Sequence, residues 1–252
     1  MKQLVVYILF LVTVFTQAQN NSLFDQANAL YNEGKFADAV NKYEEILKTG
    51  QHSADIYYNL GNAHYKLNNI APSIYYYEKA LQLKPNDKDI KNNIAYAKNM
   101  TIDNIQEVPK LGLSKFFNKA IHALTFDNWA ILTIVFVVGF VMLIITYFFT
   151  QLASKKRISF ITALLSLFLG LITLSFAFKK QNLDNSNNPA IVFAKETEVK
   201  SEPNLGSTQA FVLHEGTKVQ VLDTINNWKK IKLQDGKEGW IISGDIKLLN
   251  TF

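Results

Sequence analysis

Four histidines, His52, His64, His122 and His214, are the side chains best suited to acid–base or metal chemistry, and they are scattered along the sequence. His64 has no second His or carboxylate at ligand spacing, so it reads as a structural residue of a packed helix. His214-Glu215 reads as a turn pair, because no nucleophile accompanies it. There is no cysteine, which removes disulfides, thiolate metal sites, a Cys nucleophile and a lipidated Cys. No GxSxG, HExxH, P-loop or dinucleotide motif occurs, and no paired carboxylates sit in a recognisable frame. We therefore expect no catalytic residue, no metal ligand and no cofactor. Function falls to recognition and to the elements that present recognising side chains.

The net charge of +5 does not point to nucleic acid, because of where it lies. Residues 20–108 carry 9 Lys against 11 acids, and residues 190–252 carry 8 Lys against 8 acids. The excess is Lys110, Lys115, Lys119, Lys155, Lys156, Arg157, Lys179 and Lys180 against Asp127 and Asp184, with Lys2 as the remainder. These residues flank two apolar runs, AILTIVFVVGFVMLIITYFF from Ala130 and ISFITALLSLFLGLITLSFAF from Ile158. Each run is uncharged and, as a helix, long enough to cross about 30 Å of hydrocarbon. A basic balance built from membrane flanks implies headgroup contact and topology, not a phosphate-binding face.

The link between the runs is too short for a domain, so they form a hairpin whose flanking modules lie on one side of a membrane. Neither span holds an ionisable residue, which suits an anchor rather than a transport path. Gly139, Ser166, Gly170 and Ser175 permit close helix approach, but no strict GxxxG pair is present. The N-terminal MKQLVVYILFLVTVFTQAQN has a basic start, a short apolar run and small residues before a cleavage point at Ala18, the pattern of an export signal. An uncleaved anchor is the competing reading, and both deliver Gln19 onward outside. With Lys155, Lys156 and Arg157 inside, the soluble modules are expected in the periplasm, anchored in the inner membrane of a Gram-negative cell.

An offset of 34 residues aligns the N-terminal half with itself: Ala27 falls on Gly61, Tyr31 on Tyr65, Phe36 on Ile70, Tyr43 on Tyr77, Ile46 on Ala80 and Leu47 on Leu81. This period signals stacked helical pairs. The segment ADIYYNLGNAHYKLNNIAPSIYYYEKALQLKPND resembles the tetratricopeptide repeat, with Tyr57, Leu60, Gly61, Tyr77, Ala80 and Pro85 at the family's packing positions. A looser repeat before it keeps Ala27, Gly34, Ala39 and Tyr43, and Lys88 to Met100 reads as a capping helix. His64 at a usual Tyr and Ser73 at a usual Ala are expected to loosen the packing.

The family binds peptides on the concave face of the first helices. Carried over by position, the resemblance implies a protein-binding groove of Phe24, Asn28, Tyr31 and Asn32, then Tyr58, Asn62, Tyr65 and Lys66, with Asn59, Asn93 and Tyr96 near the same surface. Asparagine both donates to and accepts from a peptide backbone, and tyrosine offers area with a polar tip. One subclass clamps a C-terminal carboxylate with several cations. Asn28 and Asn59 match its asparagines, but Phe24, Asp89 and Asn93 stand where its cations should be, so a buried carboxylate would go unpaired and that subclass is rejected. The competing reading is that the aromatics merely fill a short superhelix.

Between repeats and hairpin, TIDNIQEVPKLG reads as a linker broken by Pro109 and Gly112. LSKFFNKAIHALTFDNW then places Phe116, Phe117, Ala120, Ile121 and Leu124 on one helical face, either an interfacial helix leading into the membrane, with Trp129 at headgroup level, or an ordinary packed helix.

After the polar QNLDNSNNP, short β runs follow: Ile191 to Phe193, Phe211 to Leu213, Val219 to Leu222, Trp228 to Leu233 and Gly239 to Ile242, with Asp235-Gly236 as a hairpin turn. Gly216, Trp228, Gly236, Gly239 and Trp240 carry a resemblance to bacterial SH3-like domains. Some of these bind peptides or cell-wall glycopeptide, which makes Trp228 and Trp240 a candidate ligand face. The competing reading places at least one of them in the core.

The expected fold is a multidomain membrane protein: an all-α tetratricopeptide superhelix, a two-helix transmembrane hairpin and a small all-β SH3-like barrel. The expected boundaries are a signal at 1–18, repeats with their cap at 20–100, linker and interfacial helix at 101–129, a span at 130–149 and a cytoplasmic loop at 150–157. A second span at 158–178, a linker at 179–189 and the SH3-like domain at 190–250 complete the chain. This order is similar to that of BatE-type proteins of the bacterial aerotolerance operon. The resemblance implies a non-enzymatic scaffold associated with von Willebrand A-domain proteins and an AAA+ ATPase. The alternative is a cell-wall (peptidoglycan) binding or sensing protein acting through the SH3-like domain.

Overall fold

The computed structural model describes residues 22–105 and 112–250. The export signal expected at 1–18, and Pro109 of the linker, lie outside the described residues. The chain divides into two compact units, one built from the repeats and the C-terminal β module and the other from the helices of 108–187.

In the first unit, α1 (22–32), α2 (Phe36–Lys48), α3 (Ala54–Lys66), α4 (Ile70–Leu83) and α5 (Lys88–Lys98) stack as helical pairs with a cap. Ser53 starts α3 by accepting from the Ile56 N–H, and Asp87 starts α5 by accepting from the N–H groups of Asp89 and Ile90. Tyr43, Tyr57, Leu60, Ile74 and Tyr77 are fully buried between the helices. A Cβ on Gly61 would stand 2.5 Å from the Tyr77 ring, so only glycine lets α3 approach α4 this closely. Ser73 does not loosen this contact as expected: buried, its hydroxyl donates to the Gly61 carbonyl at 2.9 Å and ties the two helices together.

The β module is one seven-stranded antiparallel sheet: β1 (Pro189–Val192), β2 (Glu196–Lys200), β3 (Gln209–His214), β4 (Lys218–Ile225), β5 (Trp228–Lys232), β6 (Glu238–Ile242) and β7 (Ile246–Leu248). Their order across the sheet is β3-β2-β6-β5-β4-β1-β7. Strands β2 and β7 were not anticipated. β2 reads ETEVK, and its charges mask an alternation in which Thr197 and Val199 point inward. Val192, Val199, Leu213, Val219, Ile231 and Ile241 fill the core of the sheet.

Repeats and sheet are not two separate bodies. Ile191 and Leu249 of the β module are buried in the same apolar cluster as Ile74 and Tyr75 of α4. Phe193 meets Tyr75 edge-on at 5.6 Å, and the Lys247 ammonium lies 4.8 Å from the centre of the Tyr75 ring. Residues 101–105, expected to begin a linker, instead strap the two together: Asp103 accepts from the His214 N–H and ring Nδ1, each at 2.8 Å, and from the Thr217 hydroxyl. A carboxylate only accepts, so His214 must carry its proton on Nδ1. Buried Glu78 on α4 takes Lys98 of α5 at 3.0 Å and Lys218 of β4 at 2.6 Å.

The second unit comprises α6 (Gly112–Ile121), α7 (Phe126–Phe149) and α8 (Ala153–Asn185). Helices α7 and α8 are each long and apolar enough to cross a membrane. They exceed the expected spans. α7 begins at Phe126, four residues before Ala130, and Thr125 caps it by accepting from the Asn128 N–H. α8 takes in residues 153–157 of the expected loop and residues 179–185 of the expected linker, because nothing in KKQNLDN breaks a helix. Ser159, Ala163, Gly170, Thr173 and Ala177 of α8 are buried against α7, and Ser166 donates to the Phe136 carbonyl at 2.8 Å. Spacings of three and four residues make a seam of small side chains, which substitutes for the missing GxxxG pair. Thr133 reaches Thr173 across it at 2.9 Å. On α6, Phe116 and Phe117 are exposed while Ile121 is buried, and Trp129 donates from its ring N–H to the Ile121 carbonyl.

Candidate functional site

The 34-residue period reappears as a repeated hydrogen-bond cell. In the first repeat, Asn28 Oδ1 accepts from the Tyr43 hydroxyl at 2.6 Å and from Asn59 Nδ2 at 3.0 Å. One period on, Asn62 Oδ1 accepts from the Tyr77 hydroxyl at 2.6 Å and from Asn93 Nδ2 at 2.8 Å. Burial pushes the Tyr43 hydroxyl up to about 12 and raises that of Tyr77 as well, so both stay protonated donors. Turning either receiving amide around would set NH₂ against NH₂, so the network fixes which way each asparagine points.

That orientation has a chemical consequence in the second cell. Asn93 spends both amide hydrogens, on Asn62 Oδ1 and on the Tyr58 hydroxyl at 2.9 Å. Among the described residues, Asn93 Oδ1 and Asn62 Nδ2 make no hydrogen bond. Asn93 thus keeps an unengaged acceptor and Asn62 an unengaged donor, the two functions that a peptide unit complements.

Both residues line a cavity of about 340 Å³, together with Tyr31, Tyr58, Tyr65, Lys66, Tyr77 and Tyr96. Helices α1, α3 and α5 supply all of these except Tyr77, which reaches in from α4. Lys66 is the one charged side chain in the lining. Tyr31 is partly desolvated, which raises its hydroxyl, and it sits edge-on to Phe36. The β module leaves this cavity uncovered, because α4 divides its faces. Ser73 and Tyr77 turn to α3, whereas Ile70, Ile74 and Glu78, at four-residue spacing, turn to Gly216 and Lys218.

Of the residues read from sequence as a groove, the structure gathers Tyr31, Tyr58, Asn62, Tyr65 and Lys66, with Asn93 and Tyr96, around one cavity. Asn28 and Asn59 form the neighbouring hydrogen-bond cell. Phe24 packs on Tyr43 with ring centres 5.9 Å apart and borders a different hollow with His52 and Ile56. Asn32 is exposed at the end of α1. Sequence pattern gives Tyr77 a packing role alone. Its 15-residue separation from Asn62, equal to that of Tyr43 from Asn28, is the signal that could have placed it at the site.

Trp228 and Trp240 share the other candidate surface. Trp228 pairs with Ile242 and Ile225, and Trp240 pairs with Lys230 and Lys200. Residues paired across a ladder share a face, as do alternate residues along a strand. Both tryptophans thus lie with Lys200 and Lys230 on one face, half-buried, while Ile231 and Ile241 point to the core on the other. Neither ring is part of the core.

His64 stacks on Tyr76, ring centres 5.4 Å apart, and its Nε2 is buried without a hydrogen bond. Burial lowers its pKa, with Lys247 adding to the effect and Glu44 opposing it.

Residues 24–88 match the family model of the tetratricopeptide repeat, and residues 195–247 match that of the bacterial SH3 domain. The chain is thus similar to interaction proteins built from helical repeats in one part and to cell-wall-binding modules in another. Domains of both kinds are typically non-catalytic, and nothing positively shows an enzyme. No curated protein matches the chain.

Proposed function

We propose that this protein is a membrane-anchored scaffold that holds an extended segment of a partner protein in its tetratricopeptide groove. The observation that carries the reading is the tyrosine cavity lined by Asn62 and Asn93, whose Nδ2 and Oδ1 are left unengaged. The pair suits the C=O and N–H of a main chain, the rings take a side chain, and Lys66 favours an acidic neighbour. The apolar outer surfaces of α7 and α8, with Ile134, Val138, Met142, Ile161 and Phe168 exposed, support burial in lipid. The soluble body then sits on one side of an inner membrane, in the periplasm by the positive charge of the α7–α8 turn. By resemblance, its partners are von Willebrand A-domain proteins and an AAA+ ATPase of an envelope complex.

Crosslinking in native membranes tests the groove. The full chain is expected to capture envelope proteins, and Tyr58→Ala with Asn62→Ala to lose them. An unchanged set of captured proteins would remove the reading. Alkaline phosphatase fused after Glu107 and after Asn188 should be active, and after Ser154 inactive; the reverse pattern would invert the topology.

The outward Trp228 and Trp240, the latter set between Lys200 and Lys230, favour a second reading in which the sheet binds the acidic stem of peptidoglycan. Sedimentation of the detergent-solubilised full chain with purified cell wall should then fail for Trp228→Ala with Trp240→Ala. Equal sedimentation of variant and wild type would discard this reading.

A further inference from the structure

The turn joining α7 to α8 holds a cavity of another character. It is an open hollow of about 330 Å³ between Tyr147, Ala153, Lys156, Arg157 and Phe160. The Tyr147 and Phe160 rings stand 5.6 Å apart and wall it with hydrocarbon. The Lys156 ammonium, on an exposed residue, lies 5.1 Å from the centre of the Tyr147 ring, which favours its place beside the hollow.

The charges here are one-sided. Lys155, Lys156 and Arg157 are consecutive, and α8 carries no acid in its first turn. Among the described residues none of the three has an ion pair, whereas Lys98, Lys180 and Lys218 each meet a carboxylate. Neighbouring cations without a counterion repel one another, and an anion that enters between them relieves the repulsion. The lining thus joins two cations to two aromatic walls. That combination suits an anion carried on hydrocarbon, and the Arg157 guanidinium offers the planar fork that matches phosphate oxygens.

We propose that this cavity binds the phosphate of an anionic phospholipid, with Lys156 and Arg157 on the phosphate oxygens and Tyr147 and Phe160 against the glycerol and first methylenes. This rests on the reading that α7 and α8 span a membrane, which sets the turn at headgroup depth. The site makes the turn a lipid-selective anchor and not simply a set of charges that orients the hairpin.

The full chain is reconstituted in nanodiscs of phosphatidylcholine with a minority of phosphatidylglycerol, and lipids retained on the protein are counted by native mass spectrometry. Wild type is expected to keep phosphatidylglycerol in preference to phosphatidylcholine. Lys156→Gln with Arg157→Gln is expected to reduce that preference about tenfold or more. Tyr147→Ala with Phe160→Ala, which leaves every charge in place, is expected to reduce it as well, whereas a bare orientation signal would be indifferent to the rings. Millimolar inorganic phosphate separates the sources: no displacement of lipid is expected, and full displacement would make this a free-phosphate site and overturn the lipid assignment. Equal retention of the two lipids by wild type, or unchanged preference in the charge variant, also overturns it. Alkaline carbonate extraction of wild-type membranes distinguishes the two failures. Release of the chain defeats the spanning reading and the lipid site with it, and retention with unselective lipid binding defeats the lipid site alone.

Discussion

At the scale of single residues, the positions that pattern alone identified are those whose neighbours repeat. Tyr58, Asn62 and Lys66 fall on one helix face by spacing, so their convergence on a cavity was legible. The direction of each amide was not legible, because it depends on Tyr77 and Asn93, which reach the site from other helices. His64 shows the same limit. Its structural role followed from its isolation, but not the orphaned Nε2. Burial disfavours its charged form, so the folded pKa lies below that of the unfolded chain. As pH falls through about 6.5 the unfolded state takes up a proton that the folded state resists, and stability is lost until the folded pKa is passed. His64→Phe removes both the orphan and the titration. It is expected to raise stability by about 1–2 kcal/mol at pH 7 and to flatten the decline between pH 7 and pH 5. Denaturant midpoints measured across that range check this, and an equal slope in the two proteins would refute it.

At the scale of elements, periodicity marked out the helices and the strands with clean alternation, but not what joins them. The small-residue seam of α8 was open to reading at spacings of three and four, yet a search for paired glycines passes over Ser159, Ala163 and Thr173. The strap at 101–105 looked like a linker because Asp103 is hydrophilic and its partners His214 and Thr217 are more than a hundred residues away. Two carboxylates hold this junction. Burial opposes the charge on Glu78, but Lys218 and Lys98 outweigh it and hold its carboxyl below the usual range. Burial likewise opposes the charge on Asp103, and hydrogen bonds from Thr217 and His214 prevail. Both therefore contribute stability that is present above the ordinary carboxylate pKa, about 4, and lost as pH falls through the lowered folded values. Amide exchange at Val192 and Gly216, whose N–H groups bond across β1 and the β3–β4 turn, should quicken in acid once the intrinsic pH effect is removed. Glu78→Gln should produce the same loosening at pH 7, costing about 1–3 kcal/mol, since both lysines are part-exposed and partly screened. Unchanged protection in that variant would assign the junction to apolar contact alone.

At the scale of the molecule, several of the groups that weld repeats to sheet lie outside both family matches and meet partners inside them. The tetratricopeptide match ends at residue 88 and the SH3 match runs from 195 to 247, whereas Asp103, Ile191, Phe193 and Leu249 fall beyond those limits. Reading the chain as a string of known modules thus accounts for each module and misses their union. The union has a thermodynamic signature. Gly216, at φ +86°, packs so tightly on Thr101, Ile74 and Ile70 that an added Cβ would come within 2.8 Å of the first, so the sheet cannot loosen without exposing the back of α4. Two bodies sharing one core should unfold as one. The tryptophans make this measurable: Trp228 and Trp240 are in the sheet, none is in the repeats, and Trp129→Phe silences the third. In that background Gly61→Ala, which forces a methyl into the Tyr77 ring deep in the repeats, should cost about 1–3 kcal/mol. The denaturation midpoint read by tryptophan emission from the sheet should fall together with that read from the helices, although no residue of the sheet has changed. A tryptophan midpoint that stays put while the helical one falls would show two independent modules, and would free the Trp228–Trp240 face to act apart from the groove.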